Sequence, residues 1–282
     1  MCRIFAQLSV TPHNPSEYLV KSRASLLAQS KAKKNFLQKD GWGVATLAPG
    51  GFHIFKSPNP AYRESPLFIE QAAKSSSRIV IAHIRAASNP LKLPRKDLIA
   101  REHNQPFGFG RLAFAHNGTL NIAAAARDQL LGAYRRKLEG KNDSEIYFWI
   151  LCKWYDKTKK IPEALVETVR EIWQLWRSLP KSKKNNWKFP YTGLNAAISD
   201  GRNLWALCHS LMLVERKSLC LRDQPYNRMA LRLENEGRRL VVGSEKFSPD
   251  PGWRVMAMHR LLKAWPEKGK IQYEVKPFLW KH

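Results

Sequence analysis

Cys2 is the residue of this chain whose position points most directly to chemistry. It follows Met1, and a small side chain at position 2 favours removal of that methionine. The mature chain would then carry a thiol and a free α-amine on one residue. Only about 3% of an ordinary thiol is ionised at pH 7, whereas an α-amine with a pKa of about 7.7–8.0 can accept the thiol proton. Cys2 is therefore a candidate nucleophile with its own base. Its ordinary alternative is an early residue of a buried β-strand.

Five short motifs farther along the chain carry polar groups that could serve such a nucleophile. Each also has an ordinary structural explanation. Asp40-Gly41 is a turn pair, Asn117-Gly118 is a common β-turn, and Asn142 with Glu145 fits a helix capping box. The motifs are Asp40-Gly41-Trp42-Gly43, His83-Ile84-Arg85, Asn104-Gln105-Pro106-Phe107, His116-Asn117-Gly118 and Asn142-Asp143-Ser144-Glu145.

These motifs lie mostly at the ends of predicted strands and helices. Alternation and β-branched runs predict strands at 2–9, 44–47, 52–55, 78–84 and 111–115, the last stopping at His116. Helical spacing predicts helices at 16–31, 62–74, 123–138, 144–155 and 162–176, with Leu19, Leu26 and Leu27 as core contacts of the first. Residues 89–110 are predicted to be a long loop. Strands are predicted again at 194–199, 204–209, 229–233, 239–243 and 271–275.

The order of these elements is strands, then helices, then strands again. That order favours two sheets sandwiched between helix layers over a parallel βαβ fold. The basic connector at 181–187 is a candidate boundary. We nevertheless expect a single domain over residues 2–282, because the C-terminal strands alone offer little helix to cover both of their faces. Residues 2–150 carry most of the site motifs.

Composition excludes several classes of protein. The chain has 282 residues, 44% of them hydrophobic, which is enough for a sizeable core. No apolar run approaches the roughly 18–20 residues needed to cross a membrane, and there is no sign of a secretory signal. The four cysteines show no CxxC pair and no metal-finger spacing, which favours thiols in a reducing cytoplasm. We therefore expect a cytoplasmic protein without a membrane partner.

The formal net charge of +25 raises the alternative of a nucleic acid or another polyanion as partner. The basic residues are dispersed, and neither an RNP-type aromatic motif nor a zinc finger accompanies them. We expect weak, salt-sensitive polyanion association as a side property. His83 and His116 lack HxH or HExxH spacing, so we interpret them as structural histidines and expect no metal and no other cofactor.

In combination and in this order, the motifs resemble the class II glutamine amidotransferases, a family of N-terminal nucleophile hydrolases. The opening Met1-Cys2-Arg3, the Asp-Gly-Trp-Gly turn and the His-Ile-Arg-Ala-Ala-Ser stretch of 83–88 are most similar to its stand-alone branch. That branch includes YafJ-type proteins and the γ-glutamyl hydrolases of ergothioneine biosynthesis and glutathione breakdown. The resemblance is specific over 2–150 and fainter over 195–201 and 242–245. It implies an α+β fold, a four-layer αββα sandwich of two mainly antiparallel sheets.

The resemblance also implies roles for five residues. Cys2 would attack the side-chain carbonyl of glutamine, or of a γ-glutamyl amide, to form a thioester that water hydrolyses. The Asn117 side-chain amide and the Gly118 backbone N–H would stabilise the oxyanion. Arg85 would bind the substrate α-carboxylate through its planar fork. Asp143, at a helix start, would bind the α-ammonium.

Three further residues, Trp42, Gln105 and His116, are expected to shape the site without performing a chemical step. The chain departs from the family pattern at two positions. Many members have Thr or Ser where Asn142 stands, and His often replaces Gln105. Neither departure removes a chemical group from the mechanism.

These inferences predict an N-terminal cysteine amidohydrolase that acts on glutamine or a γ-glutamyl small molecule. Because the glutaminase-type fold takes up most of the 282 residues, we expect no synthase domain. The enzyme would then be a stand-alone γ-glutamyl hydrolase, or a glutaminase subunit that delivers ammonia to a separate synthase partner. The other alternative is a basic polyanion-binding protein on an inactive amidotransferase scaffold. Against it, Cys2, Arg85, Asn117 and Asp143 are all present.

Overall fold

The computed structural model describes residues 2–212 and 216–280. The strands within these residues form two sheets, and every strand pairing described is antiparallel. They are β1 (Arg3–His13), β2 (Trp42–Ala48), β3 (Gly51–Ser57), β4 (Ser77–Ile84), β5 (Phe107–Phe109), β6 (Leu112–Leu120), β7 (Tyr191–Ser199), β8 (Leu204–Cys208), β9 (Ala230–Glu234), β10 (Arg239–Gly243), β11 (Arg254–Val255), β12 (Arg260–Glu267) and β13 (Lys270–Pro277).

The helices are short except for two in the middle of the chain. Single turns of 3-10 or π-helix occupy several connections. The α-helices are α1 (Leu26–Ser30), α2 (Ser65–Lys74), α3 (Arg95–Leu98), α4 (Ala123–Gln129), α5 (Asp143–Thr158) and α6 (Ile161–Ser178). None of the helices in the described residues is long and apolar enough to span a membrane.

The two sheets lie between two layers of helix. The seven-stranded sheet has the order β11-β9-β10-β1-β4-β2-β3, and the six-stranded sheet has the order β13-β12-β8-β7-β6-β5. One apolar cluster joins the first sheet to α1 and α2, and a larger one joins the second sheet to α4, α5 and α6. A third cluster fills the space between the sheets. The predicted α+β sandwich of two antiparallel sheets between helix layers is confirmed. One domain over 2–282 stays a prediction, favoured by the pairing of β1 with the distant β10.

Apolar side chains fill the layer between the sheets. Ile4 and Ala6 of β1, Ile81 of β4 and Ala115 of β6 are fully buried there. Side chains two residues apart lie on the same face of a strand. Continuing that alternation directs Cys2, Arg85 and Asn117 toward this same layer, at one end of the sandwich.

Two predicted helices are interrupted. The predicted helix at 16–31 is a π-turn (Glu17–Lys21) followed by α1, because Ser25 starts a new helix by accepting a hydrogen bond from the Ala28 N–H. Leu19 and Leu26 are buried as expected, whereas Leu27 is only partly buried. The predicted helix at 123–138 ends as α4, and Gly132, at a φ of +54°, starts a 3-10 turn instead.

The predicted end of the strand at 111–115 was wrong. β6 continues through His116, Asn117 and Gly118 to Leu120, where we expected a turn. Asn117 pairs with Asn195 of β7, and Gly118 pairs with Leu194. The Asn-Gly pair is compatible with a turn but does not enforce one, and β7 supplies the partner that keeps the chain extended.

Candidate active site

Cys2 lies directly before β1 with its side chain buried. Its Sγ donates a long hydrogen bond to the carbonyl oxygen of Ala86 at 3.6 Å. Burial raises the pKa of the Cys2 thiol, an effect that the nearby Arg85 guanidinium opposes and the Asp143 carboxylate reinforces. The thiol is therefore protonated at neutral pH, and it needs a base to become a nucleophile.

Residues from the far end of the sequence anchor the strand that follows Cys2. Arg3 donates to the Cys2 carbonyl oxygen at 3.2 Å, and its guanidinium pairs with the buried Glu245 carboxylate at 3.4 Å. The Ile4 N–H donates to Ser244 Oγ at 2.9 Å. Our sequence reasoning gave Ser244 and Glu245 no role, and its only signal for them was the faint resemblance over 242–245.

Two backbone carbonyl groups hold the Arg85 guanidinium beyond the end of β4. Arg85 Nη1 donates to Leu98 O at 2.7 Å and to Asp40 O at 3.3 Å. Nε and Nη2 donate to no acceptor in the described part of the chain. Burial lowers the pKa of Arg85, and the Asp40 and Asp143 carboxylates counteract that shift. The guanidinium stays charged and keeps donors for a planar anion.

The Asp40-Gly41-Trp42-Gly43 turn lies against the Asn104-Gln105 segment. The Arg85 N–H donates to Gly41 O at 2.8 Å. A Cβ on Gly41 would stand 2.1 Å from Asn104 Oδ1, and one on Gly43 would stand 2.5 Å from Gln105 O. Only glycine allows these approaches, so the two glycines let the motif that positions Arg85 pack against the Asn-Gln motif.

Trp42 lies away from this cluster. Its indole packs against Phe55 and Phe68, at centroid distances of 5.1 and 4.9 Å, and its Nε1 donates to Glu64 at 3.1 Å. This is the face of β2 that is turned toward α2, opposite the layer that receives Cys2. Contrary to our expectation, Trp42 does not line the site, because strand alternation directs it into the helix-side core.

Asp143 is the first residue of α5 and is fully enclosed. Its Oδ2 accepts from the Leu120 N–H at 2.8 Å, and Oδ1 lies 3.5 Å from Ser88 Oγ. Burial raises the pKa of Asp143 to about 6, although the Leu120 N–H and the Arg85 guanidinium both favour the carboxylate. At neutral pH the group is mostly an anion. The Ser88 hydroxyl is a side-chain donor within reach of the Asp143 carboxylate. The sequence analysis named Ser88 only as part of the 83–88 motif and gave it no role.

The neighbouring residues cap α5, with one difference from the predicted capping box. Asn142 Oδ1 accepts from the Glu145 N–H at 2.9 Å, as predicted. Glu145 does not reach back to the Asn142 N–H. Its carboxylate accepts instead from the N–H groups of Glu139 and Gly140, at 2.7 and 2.8 Å, because the preceding loop folds over the helix start.

Asn117 and Gly118 lie inside β6, beside β7. Asn117 is buried, and its Oδ1 has no hydrogen-bond partner among the described residues. Its side chain forms no other hydrogen bond within that part of the chain. A Cβ on Gly118 would stand 1.9 Å from Gly193 O, so only glycine lets the two strands approach this closely.

Gln105 and His116 fix the strand that carries Asn117. The Gln105 side chain accepts from the His116 N–H and donates to the His116 carbonyl oxygen at 3.2 Å, as a neighbouring strand would. His116 Nε2 donates to Gly193 O at 3.0 Å, and Nδ1 accepts from Ser144 Oγ at 2.9 Å. Burial lowers the pKa of His116 to about 4, so the ring is neutral. Gln105 and His116 therefore hold β6 in place, and through it they position Asn117.

The structure brings Cys2, Arg85 and Asp143 into one buried cluster, in which each charge acts on the pKa of another group. Asn117 faces the same inter-sheet layer from the second sheet. A cation, an anion and a thiol thus lie within electrostatic reach of one another. In the described residues, no cluster of three or more His, Cys, Asp and Glu side chains suits a metal ion.

Comparisons with known proteins agree with this geometry. The family model described as glutamine amidotransferases class-II matches residues 1–270. A glutamine aminotransferase class-II domain protein from Silicibacter pomeroyi superposes with a TM-score of 0.62 at 18% identity, over 97% of this chain and 98% of its own. Glutamine phosphoribosylpyrophosphate amidotransferase from B. subtilis, solved with ADP and GMP, superposes with a TM-score of 0.62 at 14% identity. The match covers 99% of this chain and 50% of that protein's chain.

The search of curated proteins finds no match. The two structural neighbours, at such low identity, share the N-terminal nucleophile hydrolase fold with this chain. The family model covers nearly the whole sequence, so it assigns the chain to a family as well as to a fold. We conclude that the chain belongs to the class II glutamine amidotransferases, enzymes that hydrolyse the amide of glutamine.

Proposed function

We propose that Cys2, exposed as the N-terminal residue by removal of Met1, cleaves the γ-amide of glutamine or of a γ-glutamyl compound through a thioester. The observation that carries this proposal is the burial of two opposite charges, Arg85 and Asp143, close enough to the thiol and to each other to act on one another's pKa. A charged pair enclosed in this way needs further partners. An α-amino acid supplies them, with one carboxylate and one ammonium at fixed separation.

Substrate recognition follows from the groups that the fold leaves unused. Arg85 keeps Nε and Nη2 for the α-carboxylate, because only Nη1 is committed to backbone carbonyl groups. Asp143 keeps part of its acceptor capacity for the α-ammonium. Its Oδ2 accepts from the Leu120 N–H, its Oδ1 lies 3.5 Å from Ser88 Oγ, and the N–H groups of Asp143 and Ser144 also favour the carboxylate. The side-chain amide of the bound amino acid then extends toward Cys2.

The reaction uses the thiol and amine of Cys2. The α-amine takes the thiol proton, and the thiolate attacks the γ-carbonyl carbon, giving a tetrahedral oxyanion. The Asn117 amide and the Gly118 N–H donate to that oxygen, and a donor of this kind is worth about 2.7–4 kcal/mol in a transition state. The C–N bond breaks, the leaving amine takes the proton, and the acyl group stays on sulfur. Water then attacks the thioester, releasing glutamate and the thiol.

Mass spectrometry and kinetics together test the proposal. The N-terminal mass should show loss of Met1, and an electrophilic glutamine analogue should label Cys2 alone. Cys2→Ser should abolish hydrolysis of glutamine, and Cys152→Ser is the matched control, since that thiol is buried within α5. An active enzyme that retains Met1, or unimpaired turnover by Cys2→Ser, would refute the mechanism.

A further inference from the structure

More than half of the net positive charge of the chain lies in four short segments. Four segments contain sixteen of its 48 basic residues and only two of its 23 acidic residues, a net +14 of the total +25. They make up less than a sixth of the sequence. We call them the cationic rim, and they are residues 31–39, 89–101, 181–189 and 216–228.

Two rim segments hold the proposed carboxylate-binding side chain. Segment 31–39 leads into Asp40, whose carbonyl oxygen accepts from Arg85 at 3.3 Å. Segment 89–101 contains Leu98, whose carbonyl oxygen accepts from the same guanidinium at 2.7 Å. Arg95 of this segment also pairs with the Asp40 carboxylate at 2.7 Å. Both segments therefore lie next to the backbone groups that hold Arg85.

The other two segments border the Asp143 and Asn117 side. In segment 181–189, Phe189 O accepts from Asn121 Nδ2 at 2.9 Å, and Asn121 follows the residue whose N–H binds Asp143. In segment 216–228, a backbone carbonyl oxygen accepts from Asn195 Nδ2 at 2.8 Å, and Asn195 is the strand partner of Asn117. The rim thus reaches the site from several sides.

The basic side chains of the rim are available to a ligand. Lys39, Lys92, Lys96, Lys181, Lys183 and Lys217 are all exposed. Among the rim cations that the structure describes, only Arg95 has a carboxylate partner. The two rim carboxylates, Asp97 and Asp223, pair with lysines outside the rim, so they do not neutralise it. A net positive charge near a site attracts anions.

The amino-acid head of the substrate does not account for this charge. It is a neutral zwitterion, and Arg85 and Asp143 match both of its ends. A substituent on the amide nitrogen extends away from the amino-acid head on the Asn117 side, which segment 216–228 borders. We propose that the preferred substrate is a γ-glutamyl amide whose leaving amine carries at least two negative charges, from carboxylate or phosphate groups. This inference rests on the proposed function, because it describes the leaving group at the same site.

Hydrolysis of such a substrate leaves the chemistry unchanged. The C–N bond of the amide breaks, the amine leaves with the proton taken from the Cys2 thiol, and water adds to the thioester. The products are glutamate and a polyanionic amine. No oxidant, metal or second substrate enters the balance.

Competing substrates test the inference on the full-length protein. Hydrolysis of γ-glutamyl-glutamate, γ-glutamyl-phosphoethanolamine, the neutral γ-glutamyl ethylamide and glutamine is measured at low salt and at about 0.15 M salt. The two anionic amides should exceed the ethylamide in kcat/KM by about tenfold or more at low salt, and the ratio should shrink as salt rises. Preference for only one of them identifies the carboxylate or the phosphate as the recognised group.

Charge-reversal variants locate the effect. In Lys92→Glu/Lys96→Glu and in Lys181→Glu/Lys183→Glu, the ratio of anionic to neutral kcat/KM should fall toward one. Lys157→Glu/Lys268→Glu is the control with the same change in net charge, and its ratio should match wild type. Lys157 is near the far end of α5, about 21 Å along the helix from Asp143, and Lys268 is in the β12–β13 turn.

Equal kcat/KM for anionic and neutral amides would overturn the inference while leaving the proposed function intact. So would an equal loss of preference in the control variant. Equal kcat/KM combined with retention of single-stranded nucleic acid at about 0.15 M salt would assign the rim to a docked polymer instead. Failure to hydrolyse any amide, glutamine included, would refute the proposed function itself, and the inference with it.

Discussion

Replacing Asn117 by alanine should lower kcat strongly while leaving the fold as stable as before, or more stable. The catalytic effect follows from the proposed loss of one oxyanion donor, about 2.7–4 kcal/mol, which corresponds to a 10²–10³-fold lower kcat. KM should change little, because Arg85 and Asp143 bind the substrate head. The combination of a large kinetic loss with an unharmed fold is unusual for a buried residue.

The stability effect is worked from the contacts of the side chain. Asn117 Oδ1 is buried without a donor among the described residues, and a buried unsatisfied acceptor costs about 1–3 kcal/mol. Alanine removes that penalty and forfeits the packing of a small group, about 1 kcal/mol. The free energy of unfolding should therefore stay constant or rise by up to about 2 kcal/mol.

Asn195→Ala is the matched control. Asn195 faces Asn117 across β6 and β7, and its amide is fully used. Its Nδ2 donates to Asn227 O at 2.8 Å, and its Oδ1 accepts from the His209 N–H at 2.7 Å. Truncation leaves two buried backbone groups unpaired, so the free energy of unfolding should fall by about 2 kcal/mol or more.

Urea unfolding and steady-state kinetics on the two variants decide the matter. Asn117→Ala should unfold at a urea concentration equal to or above the wild-type midpoint, and Asn195→Ala should unfold at a lower urea concentration. The reasoning is refuted if Asn117→Ala unfolds as early as Asn195→Ala, or if its kcat stays within tenfold of wild type. In the first case Asn117 is a structural residue, and in the second it is not an oxyanion donor.

Three further predictions concern the groups around Asn117. Because the Asp143 pKa of about 6 in the folded protein exceeds its ordinary value of 3.8, the fold loses stability as pH rises between these values. Asp143→Asn should therefore raise the free energy of unfolding by up to about 3 kcal/mol at pH 7 but not near pH 4, and wild-type kcat/KM should fall below pH about 6. Gly118→Ala should lose both stability and activity because its Cβ would meet Gly193 O at 1.9 Å, whereas Gly193→Ala, with its nearest neighbour at 3.4 Å, should unfold like wild type. Arg85→Ala should raise KM for glutamine far more than it lowers kcat, and an equal change in both would contradict its role as the carboxylate ligand.

Much of the fold could be predicted because its signals are local. The alternation of β1 and β4, the apolar spacing of α5 and α6, and the strand-helix-strand order together indicate two sheets between helix layers. The end of the strand before His116 was predicted wrongly because the Asn117-Gly118 dipeptide suits both a turn and a closely packed strand. The choice depends on Gly193, 75 residues away in sequence, which no local pattern reveals.

In the candidate site, too, the residues in local motifs could be predicted, whereas those that act through distant contacts could not. Cys2, Arg85 and Asp143 belong to short motifs, and the structure places them together. Ser244 and Glu245, which secure the strand behind Cys2, were not identified because their partners lie more than 200 residues away. The side chain of Gln105 acts as a strand partner of His116, a relation that depends on the path of a loop. Residues that position the site through distant contacts leave little trace in the local sequence.

The proposed site residues share hydrogen-bonding or charge capacity that the fold leaves unmet, a property that supporting residues such as Arg3 and Asn104 also have. Arg85 has unused donors, Asp143 is held as an anion where burial disfavours it, and Asn117 has an unmatched acceptor. A bound amino acid supplies the charges that Arg85 and Asp143 lack, whereas Asn117 would donate to the oxyanion through Nδ2 and its Oδ1 would stay unmatched. His116 and Gln105 have every polar side-chain atom engaged, so they hold the strand and have nothing left for substrate. Buried groups without partners reduce stability until a ligand arrives, and the two opposite charges near one thiol match the zwitterion that we propose as the substrate head.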